Sequence, residues 1–169
     1  MKSTAPELQR ITTEYLIEED RLRLAGATPA DVALAIWLTR RLLQRLLPEL
    51  FKWLEQQGGK LPQTEALQSF ATHSAKAQMK PQPPVKLDSS VQPWLATSVD
   101  MARSSQALRL VFKGAAGQQA GLTTSPKVLR QWLLIVQQQC IKAQWPFDFW
   151  PDWMTENAVG APPSKVVLH

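Results

Sequence analysis

Leu22-Arg23-Leu24 recurs 86 positions later as Leu108-Arg109-Leu110. In each stretch the apolar side chains alternate with a charged one, as in a strand with one buried face. The same offset relates further apolar positions: Ile36 and Leu122, Leu42-Leu43 and Val128-Leu129, and Leu46-Leu47 and Trp132-Leu133. Because the spacing is kept across strand-like and helix-like patterns, we predict two copies of one supersecondary unit.

The first copy combines strand and helix patterns. Tyr15 to Leu24 predicts an extended stretch, which Glu18-Glu19-Asp20 interrupts as a bulge or a strand break. Val32 to Leu38 predicts a strand that is apolar on both faces. Thr39 is a suitable N-cap, and the leucines that follow at helical spacing predict a helix to about Gln57.

The second copy follows the same order. Alternating apolar residues over 107–112 predict a strand, and the glycine-bearing loop 113–117 predicts a hairpin that returns over 118–122. Ser125-Pro126 places an N-cap before a proline at the first helical position. The apolar spacing after it predicts a helix that ends before Pro146.

These patterns predict an α+β fold. We expect two β-hairpin-helix repeats that form one antiparallel sheet, with two long helices packed on one face. A chain of 169 residues is most simply a single domain, 1–169. We assign the internal units to about 14–57 and 94–145, a Pro/Gln/Ala-rich insertion to 58–93, and an aromatic strap with a tail to 146–169.

The composition of the insertion indicates that it contributes little to the core. Thr64 to Gln78 fits one short helix with Leu67 and Phe70 facing inward. Pro81-Gln82-Pro83-Pro84 then forces extended geometry, and Trp94 to Met101 can add a strand after it. The low apolar content of the segment predicts few contacts with the core.

The composition is that of a globular protein, with 44% hydrophobic and 20% charged residues. The single cysteine, Cys140, has apolar neighbours and predicts a small buried residue rather than a reactive thiol. Met1 to Arg10 lacks the apolar run of a secretory signal, and no apolar run is long enough for a bilayer. We therefore predict a cytoplasmic protein that does not use a membrane, and the compact ends suit a bacterial origin.

Residues for catalysis are scarce. His73 lies in the insertion and His169 at the terminus, so the sequence suggests neither a Cys/His dyad nor a metal cluster. The carboxylates of Glu18, Glu19 and Asp20 could form a catalytic pair, but a charged strand end that faces solvent is the commoner use of such residues. We predict no enzymatic activity, no metal and no cofactor.

Trp145 to Met154 concentrates five aromatic residues, and its two prolines exclude a continuous helix. Such a strap either covers the core or forms a recognition surface. We expect Trp145 and Phe147 to pack into the core, and Trp150 or Trp153 to contact a partner.

The leading hypothesis is a non-enzymatic protein–protein interaction module: an adaptor, an assembly factor or a subunit of a larger complex. Its predicted partner-binding residues are Trp37, Trp150 and Trp153. The predicted partner is another protein or a second copy of this chain.

The alternative is a nucleic-acid-binding accessory protein. The net charge is +5, and the stretch from position 60 to 142 contains ten basic residues and only three acidic ones. The residues that could form such a basic surface are Arg103, Arg109, Lys113, Lys127 and Arg130.

Overall fold

The computed structural model describes residues 5–57 and 65–155 of the chain. In these ranges six strands and four helices form an α+β fold. The strands are β1 (Arg10–Leu16), β2 (Arg21–Ala27), β3 (Ala33–Leu38), β4 (Trp94–Arg103), β5 (Leu108–Gly114) and β6 (Gln119–Thr124). The helices are α1 (Arg40–Glu55), α2 (Glu65–Ala77), α3 (Pro126–Lys142) and α4 (Asp152–Thr155). No helix within these ranges has the length and apolarity needed to cross a bilayer.

The six strands form one sheet in the order β1-β2-β3-β4-β5-β6. Neighbouring strands are antiparallel except β3 and β4, which run parallel with Ile36 opposite Trp94 and Trp37 opposite Leu95. The sheet is therefore mixed, and the prediction of a wholly antiparallel sheet is wrong. The long connection through α1 and α2 makes the parallel pairing possible, because parallel neighbours in a sheet need a long crossover between them.

Each half of the sheet holds three strands rather than the two of a hairpin. The predicted extended stretch from Tyr15 to Leu24 is two strands, since residues 17–20 form a turn between β1 and β2 and Asp20 has a φ of 50°. The acidic residues 18–20 are exposed in this turn. Burying three carboxylates without partners would be costly, and the turn avoids that cost.

Both halves have the order strand, strand, strand, helix, and an offset of 86 residues relates the bounds of β3 to those of β6. The same offset relates Thr39 and Ser125, which cap α1 and α3. The Thr39 hydroxyl accepts a hydrogen bond from Leu42 N at 3.1 Å, and the Ser125 hydroxyl accepts one from Val128 N at 3.3 Å. That the halves are copies of one unit stays a prediction.

One face of the sheet is buried and carries the leucines of both Leu-Arg-Leu stretches. Leu22 and Leu24 on β2, and Leu108 and Leu110 on β5, have no exposed surface. They belong to one hydrophobic core with residues of α1 and α3: Leu43, Leu47, Leu50, Leu54, Leu129, Leu133 and Val136. Burial of each such side chain contributes about 1.5–3 kcal/mol, so this core is the main source of stability.

The arginines between these leucines lie on the opposite face of the sheet. Arg23 forms an ion pair with Glu14 of β1, and Arg109 forms one with Glu7. Both pairs are partly exposed, so each contributes only about 0–1 kcal/mol. They fix the position of each guanidinium more than they stabilise the fold.

Residues 6–9 connect the two edges of the sheet. Leu8 N donates to Gly121 O, and Gly121 N donates to Pro6 O, both at 2.8 Å. β6 is thereby joined to the segment that leads directly into β1, so the sheet curls back on itself. A side chain at Gly121 would displace the carboxylate or the guanidinium group of the neighbouring ion pair.

Helix α2 matches the predicted helix in position but buries a different face. Leu67 and Phe70, which we expected to face inward, are exposed. The buried residues of α2 are instead Gln68, Thr72 and Ala75. The apolar pattern misleads here because the neighbouring surface of α3 presents a buried cation, which requires polar partners.

That cation is Arg130 of α3, which is 3% exposed. Its guanidinium donates to Thr72 Oγ1 at 2.8 Å and to Gln68 Oε1 at 2.6 Å, and it lies 5.1 Å from the centre of the Trp153 ring. No acidic residue within 5–57 and 65–155 forms an ion pair with it. Burial lowers the pKa of Arg130 to about 10, so the group stays charged at neutral pH.

The rest of the insertion crosses the other face of the sheet. Residues 79–93 have no regular secondary structure. Val85 is buried against Ala25 and Ala27 of β2, and its backbone N donates to Thr12 Oγ1 at 2.8 Å. Together with α2, this contact shows that the insertion has more contacts with the fold than its composition predicts.

We predict that Arg130→Ala destabilises the protein by about 2–3 kcal/mol, because Gln68 and Thr72 lose their buried partner. Lys127→Ala, an exposed position of the same helix, is the control and should change stability by less than about 0.5 kcal/mol. Chemical denaturation of both variants measures the difference. Equal stability of the two variants would contradict a structural role for Arg130.

The two helix caps give a second prediction. Thr39→Ala and Ser125→Ala should each reduce the free energy of unfolding by about 1 kcal/mol, since each removes the acceptor for one backbone N–H. Ser89→Ala, at an exposed position outside the helices, should have almost no effect. Urea titrations of the three variants test this, and a cap variant as stable as the control would show that the hydroxyl is not used.

Candidate partner-binding site at the aromatic strap

The aromatic strap, residues 145–154, begins where α3 ends. Gln144 has a φ of 60°, and its N–H donates to Ile141 O at 3.0 Å. Trp145 N donates to Cys140 O at 3.1 Å. These two bonds form a Schellman motif with glutamine at the left-handed position. The motif turns the chain sharply and fixes the direction in which the strap leaves the helix.

The first anchor of the strap is Trp145, which is buried. Its ring lies edge-on to Tyr15 with the ring centres 5.8 Å apart, and its indole N–H donates to Asp20 Oδ1 at 3.2 Å. The Tyr15 hydroxyl donates to the same carboxylate oxygen at 2.8 Å. The strap is therefore tied to the β1–β2 turn, and the expectation of a buried Trp145 is confirmed.

The second anchor is formed by Trp153 and Met154 of α4, both buried in the core. Trp153 is 3% exposed and lies edge-on to Phe51 of α1, with the ring centres 6.1 Å apart. We predicted Trp153 as a partner-binding residue; that role stays a prediction, and the described structure leaves very little of this side chain accessible. It serves to hold the end of the strap because it packs between α1 and the buried Arg130.

Between the anchors, Phe147, Phe149 and Trp150 are partly buried and contact one another. The ring centres of Phe147 and Phe149 are 4.9 Å apart, and those of Phe149 and Trp150 are 5.7 Å apart. A cavity of about 320 Å³, partly open to solvent, lies between this part of the strap and the end of α3. Its lining residues are Gln137, Cys140, Ile141, Trp145, Phe147, Asp148, Trp150 and Thr155.

On the α3 side, the cavity is lined by the amide side chain of Gln137 and the thiol of Cys140. Gln137 is 4% exposed, and its side-chain oxygen accepts no hydrogen bond from the part of the chain that the structure describes. Such an orphaned acceptor is costly unless a donor reaches it. Burial raises the pKa of Cys140 to about 12, so its thiol is neutral and unreactive, as the sequence predicted.

Acidic side chains are exposed on the strap and in the turn that Trp145 contacts. Asp148 is exposed on the strap, and Glu18, Glu19 and Asp20 are exposed in the neighbouring turn. Asp20 is in direct contact with the strap through the Trp145 indole. The Asp20 carboxylate also raises the pKa of the Tyr15 phenol through their hydrogen bond, so that hydroxyl stays protonated and neutral at physiological pH.

The third predicted partner-binding residue, Trp37, lies elsewhere. Its neighbours in β3, Ile36 and Leu38, are in the core, so Trp37 is on the opposite face of the sheet, partly exposed. Across the strands it is opposite Arg23 and Leu95. Of the three predicted residues, the cavity therefore contains only Trp150.

The five basic residues proposed for nucleic-acid binding are mostly engaged within the chain. Arg103 pairs with Glu49 at 3.3 Å, Arg109 with Glu7, and Lys113 with Asp100 at 2.5 Å.

The other two differ in exposure. Arg130 is buried, and Lys127 is exposed in the first turn of α3. Only Lys127 of the five has no internal partner in the described residues, and nucleic-acid binding by these residues stays a prediction.

Sequence reasoning missed Gln137, Ile141 and Asp148. Gln137 and Ile141 are one helical turn apart on α3, and Ile141 remains 56% exposed in the folded chain. A signal was available, because this turn immediately precedes the strap and shares its apolar face with Cys140.

No metal-binding cluster of His, Cys, Asp or Glu occurs in residues 5–57 and 65–155. No protein-family model matches the chain, and no curated protein or solved structure resembles it significantly. Conclusions about function therefore rest on the geometry of this site.

The Schellman turn gives a prediction. Gln144→Gly should stabilise the protein by about 1 kcal/mol, because glycine adopts positive φ without the cost that a side chain imposes. Ala143→Gly is the matched control, since Ala143 has a φ of −73° and should lose about 0.5–1 kcal/mol. Thermal unfolding of both variants shows whether their stabilities change in opposite directions. A destabilised Gln144→Gly would contradict the assigned turn.

Proposed function

We propose that the chain is a non-enzymatic protein–protein interaction module, an adaptor, assembly factor or subunit of a larger complex, and that its partner binds at the strap cavity. The observation that carries the proposal is the cavity itself: about 320 Å³ between α3 and a strap held at both ends. Its partly exposed aromatic side chains are of the type that is enriched in the centres of protein interfaces.

The surface next to the cavity extends this apolar area. Ile141 lines it and is largely exposed, and Ile17 is exposed in the turn that Trp145 contacts through Asp20. Exposed aliphatic side chains next to aromatic ones suit a contact that excludes water. The anchors at Trp145 and Trp153 hold the strap in place before a partner arrives, which lowers the ordering cost of binding.

We also infer that the two β-β-β-helix halves arose as copies of one unit and together serve as the scaffold for the strap. The shared order of elements, the equivalent caps at Thr39 and Ser125 and the constant offset of 86 residues support this. In this proposal the strap is an addition after the second copy that gives the scaffold its binding site.

A non-enzymatic role is consistent with the chemistry of the described residues. The Cys140 thiol is neutral, and His73 is exposed on α2 without a hydrogen-bond or ion-pair partner among them. Nucleic-acid binding has less support, since three of the five candidate basic residues pair with carboxylates.

The proposal predicts that Ile141→Ser greatly weakens retention of the partner while stability changes by less than about 0.5 kcal/mol, because the side chain is mostly exposed. Val128→Ser is the matched control: it is 50% exposed on the same helix, and it does not line the cavity. Affinity capture from native lysate, with quantitative mass spectrometry of the three proteins, compares retention.

Light scattering of the same three purified proteins tests whether the partner is a second copy of this chain. If the partner is a second copy, light scattering should show a dimer for the parent protein and for Val128→Ser, and a monomer for Ile141→Ser. Equal retention and equal molecular mass for all three proteins would contradict binding at the cavity.

A further inference from the structure

We propose that the strap cavity receives a cationic side chain, a lysine ammonium or an arginine guanidinium, presented by a basic segment of the partner protein; this identification of the ligand group rests on the function proposed above. Three independent properties of the site lead to it: the chemistry of the walls, the orphaned acceptor and the surrounding charge.

The size of the cavity fits a side chain. At about 320 Å³ it is at the lower end of the range for small-molecule pockets. It is large enough for the end of one long side chain and too small for a folded element. The partner therefore inserts a single group here, and its remaining contacts lie on the surface around the opening.

The walls favour a cation over an aliphatic group. Trp145, Phe147 and Trp150 line the cavity, and aromatic faces attract cations that approach within about 6 Å of the ring centre, tryptophan most strongly. The strap already shows this interaction once, since the Arg130 guanidinium lies 5.1 Å from the centre of the Trp153 ring. A second guanidinium or ammonium at the cavity would repeat that contact from outside the chain.

The polar groups of the site need a donor. Gln137, almost fully buried, is one of the residues that line the cavity, and its side-chain oxygen accepts no hydrogen bond within the described ranges. Asp148 supplies a carboxylate, and the lining residues of the described chain include no base. Ammonium and guanidinium groups carry several N–H donors and no acceptor, which complements the Asp148 carboxylate and the unpaired Gln137 oxygen.

The exposed carboxylates near the strap also favour a cationic ligand. Glu18, Glu19 and Asp20 are exposed in the β1–β2 turn, and Asp20 accepts a hydrogen bond from the Trp145 indole. Two basic residues are adjacent in sequence to these groups. Arg21 follows the acidic turn, and its guanidinium lies 3.9 Å from the Glu19 carboxylate. Lys142 follows Ile141 at the end of α3, where it is exposed and does not line the cavity. Among these described residues the carboxylates outnumber the bases, and a basic segment would be drawn to them.

The test uses two synthetic peptides of identical length, one with alternating glycine and arginine and one with citrulline, the neutral isostere, in place of each arginine. Tryptophan indole N–H resonances report binding to the full chain. We expect the arginine peptide to bind at least about tenfold more tightly than the citrulline peptide, with the advantage falling as salt rises. Equal binding of the two peptides, or no binding of either, would overturn the proposal.

Two aspartates of the strap provide a matched pair of variants. Asp148→Asn should weaken arginine-peptide binding by about threefold or more, whereas Asp152→Asn, also exposed but outside the cavity lining, should change it far less. Equal losses would mean only general attraction to negative charge and would overturn the site. Trp150→Leu, which keeps an apolar side chain but removes the aromatic face, should clearly reduce the preference for arginine over citrulline.

The two proposals fail separately. If Ile141→Ser abolishes partner retention while the peptides bind equally, the interaction site stands and the cationic ligand is wrong. If the arginine peptide is preferred and Ile141→Ser retains the partner fully, the cavity recognises cations but is not the site of the interaction.

Discussion

Alternation of leucine and arginine within β2 and β5 is the constraint on which the rest of the fold depends. Successive side chains of a strand point to opposite faces, so Leu22 and Leu24 can be buried only if Arg23 lies on the other side of the sheet. The same holds for Arg109 between Leu108 and Leu110. Buried residues of α1 and α3 belong to the same hydrophobic core as these leucines, and carboxylates from β1 and from the segment before it pair with the arginines.

A second constraint comes from one buried charge. Arg130 lies on the core-facing helix α3, where an unpaired guanidinium would be very costly. Its hydrogen bonds to Gln68 and Thr72 hold α2 against α3, and its position over Trp153 brings in α4. One side chain thus connects the insertion to the end of the strap, two segments that are far apart in the sequence.

The candidate site follows from these two constraints. The strap is fixed at Trp145 by the β1–β2 turn and at Trp153 by Phe51 and Arg130, and the residues between the anchors cover the end of α3 without filling the space beneath them. A chain held at both ends can keep aromatic side chains partly exposed and ordered, which is what recognition of a single inserted group requires. Asp148, between the anchors, adds a carboxylate to the lining of this space.

The sequence alone determined the features that depend on local periodicity. The caps at Thr39 and Ser125, the apolar stripes after them and the buried, unreactive Cys140 all follow from spacing within one or two helical turns, and each agrees with the structure. The bounds of α2 were also within reach, because helix propensity is local.

Tertiary structure decided everything that depends on a contact between distant segments. The parallel pairing of β3 with β4 depends on where a crossover returns the chain, and the buried face of α2 depends on the position of Arg130, 58 residues from Thr72. Likewise, Trp153 was predicted to bind a partner because aromatic residues near the end of a chain look accessible in sequence. Only the packed core shows that Phe51 and Arg130 enclose it, since burial is a property of neighbours in space and not of neighbours along the chain.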